Sequence, residues 1–249
     1  MTRYAFSIDL DRCIGCEACA VACKTGHELP RGVRYIAISE AVRGQMPNLA
    51  GLFLQRRCLH CEQAACVQVC PTGALSKWNG LTVVQADKCS ACGYCTDACP
   101  FKIPSIADEH VSKCVACFEL VKEGQTPWCA QTCPSQAIRF GAREQIVADI
   151  KARLAMVRAR YPAAQLYGET ELGGLGAVMM LLDKPGVYGL PENPQLPATL
   201  DAWQNIVQPA SAGLSLTALV VTGLSFIIAR RRHVREKQLA AAESKEQHE

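Results

Sequence analysis

Sixteen cysteines constrain this chain of 249 residues more than any other feature, and all of them fall between residues 13 and 133. They form four groups of four with short, nearly regular spacing. The groups are Cys13-x2-Cys16-x2-Cys19-x3-Cys23, Cys58-x2-Cys61-x4-Cys66-x3-Cys70-Pro71, Cys89-x2-Cys92-x2-Cys95-x3-Cys99-Pro100 and Cys114-x2-Cys117-x11-Cys129-x3-Cys133-Pro134. The chemistry of the first half of the chain follows largely from this pattern.

The C-x2-C-x2-C-x3-C spacing of the first and third groups is typical of [4Fe–4S] ligation. Three cysteines wrap a tight loop around one cluster. We expect the fourth to stand at the start of a following helix and to reach a partner cluster. The second and fourth groups have wider gaps, so their interpretation as cluster ligands depends on the presence of the other two groups. Each iron takes one thiolate, so sixteen cysteines predict four clusters with no ligand left over.

Two alternative uses of the cysteines are a disulfide-rich scaffold and zinc sites. Disulfide geometry suits runs of C-x2-C-x2-C poorly, because the bonded cysteines need a specific separation and direction. Paired C-x2-C motifs do bind zinc. Zinc does not explain a third cysteine at the same interval followed by a fourth at x3. Both alternatives are weaker than iron–sulfur ligation.

The remaining sequence predicts a hairpin, a helix and an extended segment. Residues 74–84 read as a hairpin whose turn is Asn79-Gly80. Residues 141–161 predict an amphipathic helix that packs on the cluster domain. Its apolar face is Ile146, Ile150, Leu154 and Val157. Residues 163–200 are rich in Gly, Pro and Leu without a sustained period, which predicts an extended surface segment covering the core or a partner.

Residues 210–229 contain no charged side chain and predict a transmembrane helix. Twenty residues at ~1.5 Å rise span about 30 Å, the thickness of a bilayer core. Trp203 lies shortly before this span, where an interfacial indole is common, and Arg230-Arg231-Arg232 follows it. The small residues Gly213 and Gly223 suit close packing on other membrane helices.

The arginines after the span predict its orientation. Positive residues stay cytoplasmic, so the tail is expected inside and the cluster domain outside, in the periplasm of a bacterium. We see no signal peptide before the first cysteine group. We therefore expect export of the folded domain alongside a partner that carries a twin-arginine signal.

The chain resembles the iron–sulfur (beta) subunits of respiratory, membrane-bound formate dehydrogenases, and more broadly the four-cluster electron-transfer subunits of molybdopterin oxidoreductases. The wider resemblance rests on the four cysteine groups. The narrower one rests on shorter stretches and on the single C-terminal span. These stretches are Cys92–Cys95, Cys99–Pro104, Lys113–Cys117, Gly124–Cys129, Ala137–Gly141, Gly173-Gly174 and Tyr188–Pro191.

The resemblance implies how the cysteines divide among the clusters. Groups one and four would form one half, and groups two and three the other, with each fourth cysteine crossing to its partner. The implied ligand sets are Cys13, Cys16, Cys19 with Cys133; Cys114, Cys117, Cys129 with Cys23; Cys58, Cys61, Cys66 with Cys99; and Cys89, Cys92, Cys95 with Cys70.

The resemblance also implies partners and a role. A large subunit with a molybdenum or tungsten bis-pterin would oxidise formate, and a membrane cytochrome b would accept the electrons and reduce quinone. This chain would be a non-catalytic electron-transfer subunit. The same role in a periplasmic hydrogenase or another pterin-dependent respiratory oxidoreductase is the alternative. A membrane-tethered redox sensor would need a further domain, for which no residues remain.

The predicted fold class is α+β, with two intertwined double-cluster ferredoxin-like halves, an extended segment and one transmembrane helix. The predicted boundaries are 1–140 for the cluster domain, 141–208 for the helix and partner-contacting segment, 209–230 for the span and 231–249 for a charged cytoplasmic tail. The net charge of +3 gives no argument for nucleic acid. Lys88, Lys102 and Lys113 stand beside cluster cysteines and are expected to stabilise reduced clusters, whereas His60 is interpreted as a hydrogen-bonding or exposed loop residue.

Overall fold

The computed structural model describes residues 2–47, 49–202, 210 and 217–231. The strands are β1 (Tyr4–Asp9), β2 (Ile36–Arg43), β3 (Ala50–Arg57), β4 (Leu75–Trp78), β5 (Leu81–Val84), β6 (Ser105–Ala107), β7 (His110–Ser112), β8 (Ile138–Ala142), β9 (Gln165–Tyr167) and β10 (Ala177–Leu181). The helices are α1 (Ala18–Gly26), α2 (Ala65–Gln68), α3 (Tyr94–Ala98), α4 (Phe118–Lys122), α5 (Trp128–Gln131), α6 (Arg143–Val157) and α7 (Ala198–Ala202). Single 3₁₀ turns occur at Ala86–Lys88, Glu171–Gly173 and Pro185–Tyr188.

A four-stranded sheet in the order β8-β1-β10-β9 forms the centre of the first 197 residues. β1 runs parallel to β10 and antiparallel to β8, in a register that sets Phe6 opposite both Ala177 and Phe140. Three hairpins, β2-β3, β4-β5 and β6-β7, lie outside this sheet. All four cysteine groups occur in the sequence after β1 and before β8, so both of these neighbouring strands anchor the cysteine-bearing part.

The interpretation of residues 163–200 as a surface segment is wrong for residues 177–181. Every residue of β10 is buried, and the strand lies between β1 and β9. Its sequence is an unbroken apolar run, AVMML, which is typical of a strand covered on both faces. Gly and Leu residues precede this short strand, so its five apolar residues do not stand out as a periodic pattern in the sequence.

The hairpin and the amphipathic helix are confirmed. β4 and β5 are joined by Asn79 and Gly80, both with positive φ, as a tight two-residue turn requires. The helix forms as α6, shorter than the predicted 141–161 because residues 141 and 142 belong to β8. Its four buried residues are those of the predicted apolar face, Ile146, Ile150, Leu154 and Val157. They pack α6 against β1 and β8, because one helical stripe recurs every three to four residues.

The second unit, from residue 198 onward, contains α7 and a helix over 217–231. Within the described residues, no helix combines the length and apolar character needed to cross a membrane. Part of the predicted span, residues 211–216, lies outside the described residues, as do Trp203 and the tail from residue 232.

Candidate metal centres

Each cysteine group begins with a loop whose backbone enters the left-handed region just before the second cysteine. The residues there are Gly15, His60, Ala91 and Ala116, with φ of 68°, 50°, 53° and 58°. Three of these four carry side chains, and such conformations cost free energy unless the surrounding structure imposes them. Backbone N–H groups around left-handed residues form concave nests that bind anionic groups. The loops thus have the backbone shape of cradles for a group bound by thiolates.

A short helix follows each loop and carries the third cysteine of the group. These third cysteines are Cys19 in α1, Cys66 in α2, Cys95 in α3 and Cys129 in α5. The fourth cysteine comes four residues later, about one helical turn further on. The prediction that it stands at the start of a helix is wrong. Cys23 lies late in α1, and Cys70, Cys99 and Cys133 follow the ends of their helices.

The helices pack in pairs that bring different cysteine groups together. α1 of group one packs against α5 of group four, and α2 of group two packs against α3 of group three. Cys66, Cys95 and the apolar residues Ala64, Leu75 and Val111 share a small separate core around the second pair. The packing thus joins group one to group four, and group two to group three.

We group the sixteen thiols into the four sets that the resemblance implies, and the structure brings members of each set close enough to interact electrostatically. Set A is Cys13, Cys16, Cys19 and Cys133; set B is Cys114, Cys117, Cys129 and Cys23; set C is Cys58, Cys61, Cys66 and Cys99; set D is Cys89, Cys92, Cys95 and Cys70. Each set contains the first three cysteines of one group and the fourth of another. All sixteen lie in the part of the chain that the structure describes, and none forms a disulfide.

The electrostatics of these sets fit a cationic metal core. Burial, with a smaller contribution from the nearby Cys58, raises the pKa of Cys66 to about 12. Burial also raises the pKa of Cys23, with Cys114 and Cys129 adding to the shift. Metal binding removes these protons, because the thiolate is the ligand. Among the described residues, no three His, Cys, Asp or Glu side chains converge on a single ion, whereas a four-iron cluster takes one thiolate at each of its irons.

Contacts between neighbouring sets link A to B, B to C and C to D. Burial raises the pKa of Cys19, and Cys129 of set B is among the neighbours that raise it further. Cys95 of set D acts in the same way on Cys66 of set C. Sets B and C meet at β3, since Arg57 donates to set B and directly precedes Cys58 of set C.

The cysteines at the two ends of this series are more exposed to solvent than those in its middle. Cys16 of set A and Cys92 of set D are exposed. All four cysteines of set B are buried, and those of set C are buried or half-buried. The apolar side chains next to the exposed cysteines, Ile14 and Tyr94, are about 60% exposed (61% and 60%). The series therefore reaches the surface at both ends and is covered in between.

The loop of set A is fixed to α6 by two carboxylates. Arg153 donates from Nε to Asp9 at 3.1 Å and from Nη2 to Asp11 at 2.5 Å. The other Asp9 oxygen accepts from the backbone N–H groups of Asp11 and Arg12, immediately before Cys13. A residue 144 positions away thus orients the start of the first cysteine loop.

Replacing Arg153 with methionine is expected to weaken this loop by about 2 kcal/mol, since hydrogen bonds to charged groups contribute roughly that much. On anaerobic heating, the electron paramagnetic resonance (EPR) signal of the cluster that the resemblance implies for set A should then disappear before those of the other implied clusters. Lys151→Met on the same helix is the control, because Lys151 pairs with Glu169 at the exposed surface. Equal losses from all clusters in Arg153→Met would contradict the anchoring role.

The loop of set C is held by the segment that leads into β10. The N–H groups of Gly176 and Ala177 donate to the carbonyls of His60 and Leu59, each at 3.0 Å. A side chain at position 176 would place its Cβ 2.8 Å from the Cβ of His60, so only glycine allows this approach. Lys77 Nζ adds a hydrogen bond to the Cys61 carbonyl at 2.7 Å.

His60 is hydrogen-bonded, as the sequence indicated, but it is fully buried. Its Nδ1 accepts from the Thr82 N–H at 3.1 Å. Burial, and then the nearby Lys113, keep the pKa of His60 well below its ordinary value. The ring is therefore neutral, and it stacks on Phe6 with centroids 6.2 Å apart. His60 is thus a residue of the set C loop whose side chain points into the core.

The three lysines beside cluster cysteines differ in exposure. Lys113 is 2% exposed, and its Nζ donates to the carbonyls of Thr82 and Cys114. Lys88 and Lys102 are exposed. Charges act strongly only where water does not screen them, so Lys113 alone of the three is positioned to influence a cluster strongly.

Sequence reasoning missed Arg57 and Gln55, two buried polar residues of β3. Arg57 donates to the sulfur atoms of Cys114 and Cys129, at 3.1 and 3.5 Å. Gln55 contacts Arg57 and lowers the pKa of Cys19, against a larger opposite effect of burial. The available signal was the alternation of Phe53, Gln55 and Arg57 along one face of a strand that ends just before Cys58.

Comparison with known proteins supports the iron–sulfur assignment. Models of a 4Fe-4S dicluster domain match residues 12–74 and 49–143. The chain is 34% identical over 235 residues to the formate dehydrogenase iron–sulfur subunit of Haemophilus influenzae, covering 82% of this chain and 74% of that protein. It is 34% identical over 229 residues to the formate dehydrogenase-O iron–sulfur subunit of Escherichia coli, covering 82% and 76%. One polypeptide of the E. coli anaerobic dimethyl sulfoxide reductase is 37% identical over 156 residues, or 58% of this chain and 76% of that one.

Together, the cradle loops, the crossed cysteine sets and the dicluster matches define a ferredoxin-like protein of mixed α and β structure that binds [4Fe–4S] clusters. Within that class, the relatives that share most of the chain are formate dehydrogenase subunits. This protein belongs to the family of formate dehydrogenase iron–sulfur subunits.

Proposed function

We propose that this chain is an electron-transfer subunit that holds four [4Fe–4S] clusters. It passes electrons from a formate-oxidising catalytic subunit with a molybdenum or tungsten bis-pterin to a membrane cytochrome b and the quinone pool. The observation that carries this proposal is the series of four cysteine sets, exposed at its two ends and buried in its middle. Two ends at the surface suit a path with one donor and one acceptor.

In this proposal sets A, B, C and D each ligate one cluster, and every cysteine is used. Bound clusters supply reversible one-electron chemistry. The chain itself spaces them, excludes water from sets B and C, and places cations and N–H groups beside the sulfur atoms. In this role the subunit carries electrons and is not itself a catalyst.

The runner-up is the same role in another respiratory oxidoreductase, such as a dimethyl sulfoxide reductase-type enzyme or a periplasmic hydrogenase. The similarity to the dimethyl sulfoxide reductase polypeptide supports this alternative for the cysteine-bearing part. The formate dehydrogenase subunits match 82–84% of the chain, against 58% for that relative. The greater coverage favours formate as the source of electrons.

The decisive experiment is anaerobic purification of the detergent-solubilised complex, followed by iron analysis and EPR. Four clusters predict about sixteen irons per copy of this chain, after correction for iron in the partners. Formate should reduce these clusters. Full iron content without reduction by formate, but with reduction by hydrogen or another donor, would assign the chain to a different complex. An iron content near eight would contradict the four-cluster proposal.

The membrane arrangement is a separate part of the proposal. Residues 209–230 would cross the bacterial inner membrane once, with the cluster domain in the periplasm and residues 231–249 in the cytoplasm. The support is the uncharged run followed by consecutive arginines. Protease added to right-side-out spheroplasts should then digest the cluster domain, or reach it after mild unfolding. Protection there, with digestion in inverted vesicles, would place the domain on the cytoplasmic side.

A further inference from the structure

Arg57 is a buried cation that faces two sulfur atoms of one cysteine set. Its side chain is only 1% exposed. Nη2 donates to Cys114 Sγ at 3.1 Å and Nη1 donates to Cys129 Sγ at 3.5 Å. Both cysteines belong to set B. The planar guanidinium can address two acceptors at once, which an ammonium group on a flexible stem does less well.

The guanidinium is held in place from two other sides. Its central carbon lies 3.8 Å from the centroid of the Phe6 ring, a cation–π contact with a residue of β1. The Gln55 Oε1 accepts from Nη1 at 3.5 Å. Both neighbours are themselves buried, so Arg57 has little freedom to turn away from set B.

The counter-charge for Arg57 comes from set B. Among the described residues, no carboxylate lies within ion-pair distance of it, and its Nε has no hydrogen-bond partner. An isolated cation in such surroundings is strongly unfavourable unless an anionic group compensates it. Four thiolates on a [4Fe–4S] core carry net negative charge in both oxidation states. The orphaned donor and the missing carboxylate therefore fit a cluster in set B.

We propose that Arg57 selectively raises the reduction potential of the set B cluster, an inference that rests on the proposed function only in requiring a [4Fe–4S] cluster in that set. One-electron reduction adds negative charge to the cluster, and a fixed cation in a medium of low dielectric constant stabilises the reduced form more than the oxidised form. Hydrogen bonds to the ligand sulfurs act in the same direction. Arg57 stays protonated throughout, so no proton moves with the electron.

The effect is strongest at set B, because the sulfur atoms to which Arg57 donates in the described structure all belong to that set. At Cys19 of set A, burial raises the pKa and the Arg57 charge makes a smaller contribution that lowers it. Set A is reached from β3 by the neutral Gln55 amide, and its cysteines have no hydrogen bond from Arg57 among the described residues. Set C has a different buried cation nearby, Lys113, whose Nζ bonds to backbone carbonyls instead of sulfur. Set D lies beyond set C. Removing the Arg57 charge should therefore shift one cluster strongly and the other three little.

The test is an EPR-monitored redox titration of the full complex, purified anaerobically, with Arg57→Gln. We expect one of four one-electron steps to move to lower potential. At a fixed potential, the reduced-to-oxidised ratio of that cluster should fall at least tenfold, which for one electron is about 59 mV. Arg57→Lys should give a smaller downward shift. Arg56→Gln is the matched control, because this neighbouring arginine is exposed and its replacement should shift nothing.

The cluster that moves must be the one altered by Cys117→Ser, a set B ligand to which Arg57 donates no hydrogen bond in the described structure. Unchanged midpoints in Arg57→Gln with full iron content would overturn the inference and leave the four-cluster proposal intact. Equal shifts of all four clusters would also overturn it. If Arg57→Gln loses iron, the Arg57→Lys titration decides, and a midpoint equal to that of the unsubstituted chain contradicts the inference. Missing clusters in the unsubstituted chain would instead contradict the proposed function.

Discussion

Replacing Cys99 with alanine should remove the cluster of set C, although Cys99 is the sequence neighbour of three set D cysteines. Iron should fall by about four atoms per chain, one cubane, if the cluster is lost whole. In the proposed complex, formate-to-quinone electron flow should fall to background, because set C would lie between sets B and D on the path. Reduction of an artificial dye directly at the catalytic subunit should continue. Iron analysis, EPR and the two activity assays measure these effects.

Other ligand variants identify which cluster is lost. The EPR signal lost in Cys99→Ala should be the one lost in Cys61→Ala, whereas Cys95→Ala should match Cys70→Ala. Ser90→Ala, an exposed non-ligand in the set D loop, is the control and should retain every cluster. If Cys99→Ala and Cys95→Ala instead remove the same signal, the fourth cysteines do not cross and the proposed ligand sets are wrong.

Replacing Val178 with aspartate should prevent stable folding of the cysteine-bearing unit. Val178 is fully buried in β10, opposite Ser7 of β1. A carboxyl group buried among apolar side chains lacks a hydrogen-bond or ion-pair partner. The free energy of unfolding should therefore fall by about 4 kcal/mol or more, which is a large share of the stability of a typical domain. The substituted chain should be degraded rapidly by added protease and should retain little iron after anaerobic purification.

Val42→Asp is the matched control for this substitution. Val42 is 68% exposed on the β2-β3 hairpin, so the same chemical change there should leave protease resistance and iron content near those of the unsubstituted chain. Similar resistance in both variants would mean that β10 is not part of the core. Because the bound clusters violate simple two-state unfolding, protease resistance is a better measure than an extrapolated free energy.

Features set by local chemistry could be predicted from the sequence. The thiol spacing indicated [4Fe–4S] ligation, Asn79-Gly80 marked a turn, and the period of α6 identified its buried face. The family resemblance supplied the crossed ligand sets, which the packing of α1 on α5 and α2 on α3 accommodates. These cases share short sequence separations or a regular repeat.

Features set by distant contacts could not be predicted in this way. β10 is only five residues long and lies among glycines, so its partner β1 had to be known before its burial could be inferred. The burial of Arg57 could not be inferred either, because arginine side chains are ordinarily exposed to solvent. Its burial depends on Phe6 and on two cysteines more than fifty positions away.

The parallel pairing of β1 with β10 also bears on how the protein is made. The register joins residue 6 to residue 177, while all sixteen cysteines lie between them. On the ribosome the first strand is complete long before its neighbour has been synthesised. During this interval the backbone hydrogen bonds from Gly176 and Ala177 to the set C loop cannot yet form. Closure of the sheet after residue 181 is then a late event, and synthesis interrupted before that point leaves β1 with β8 as its one described neighbour.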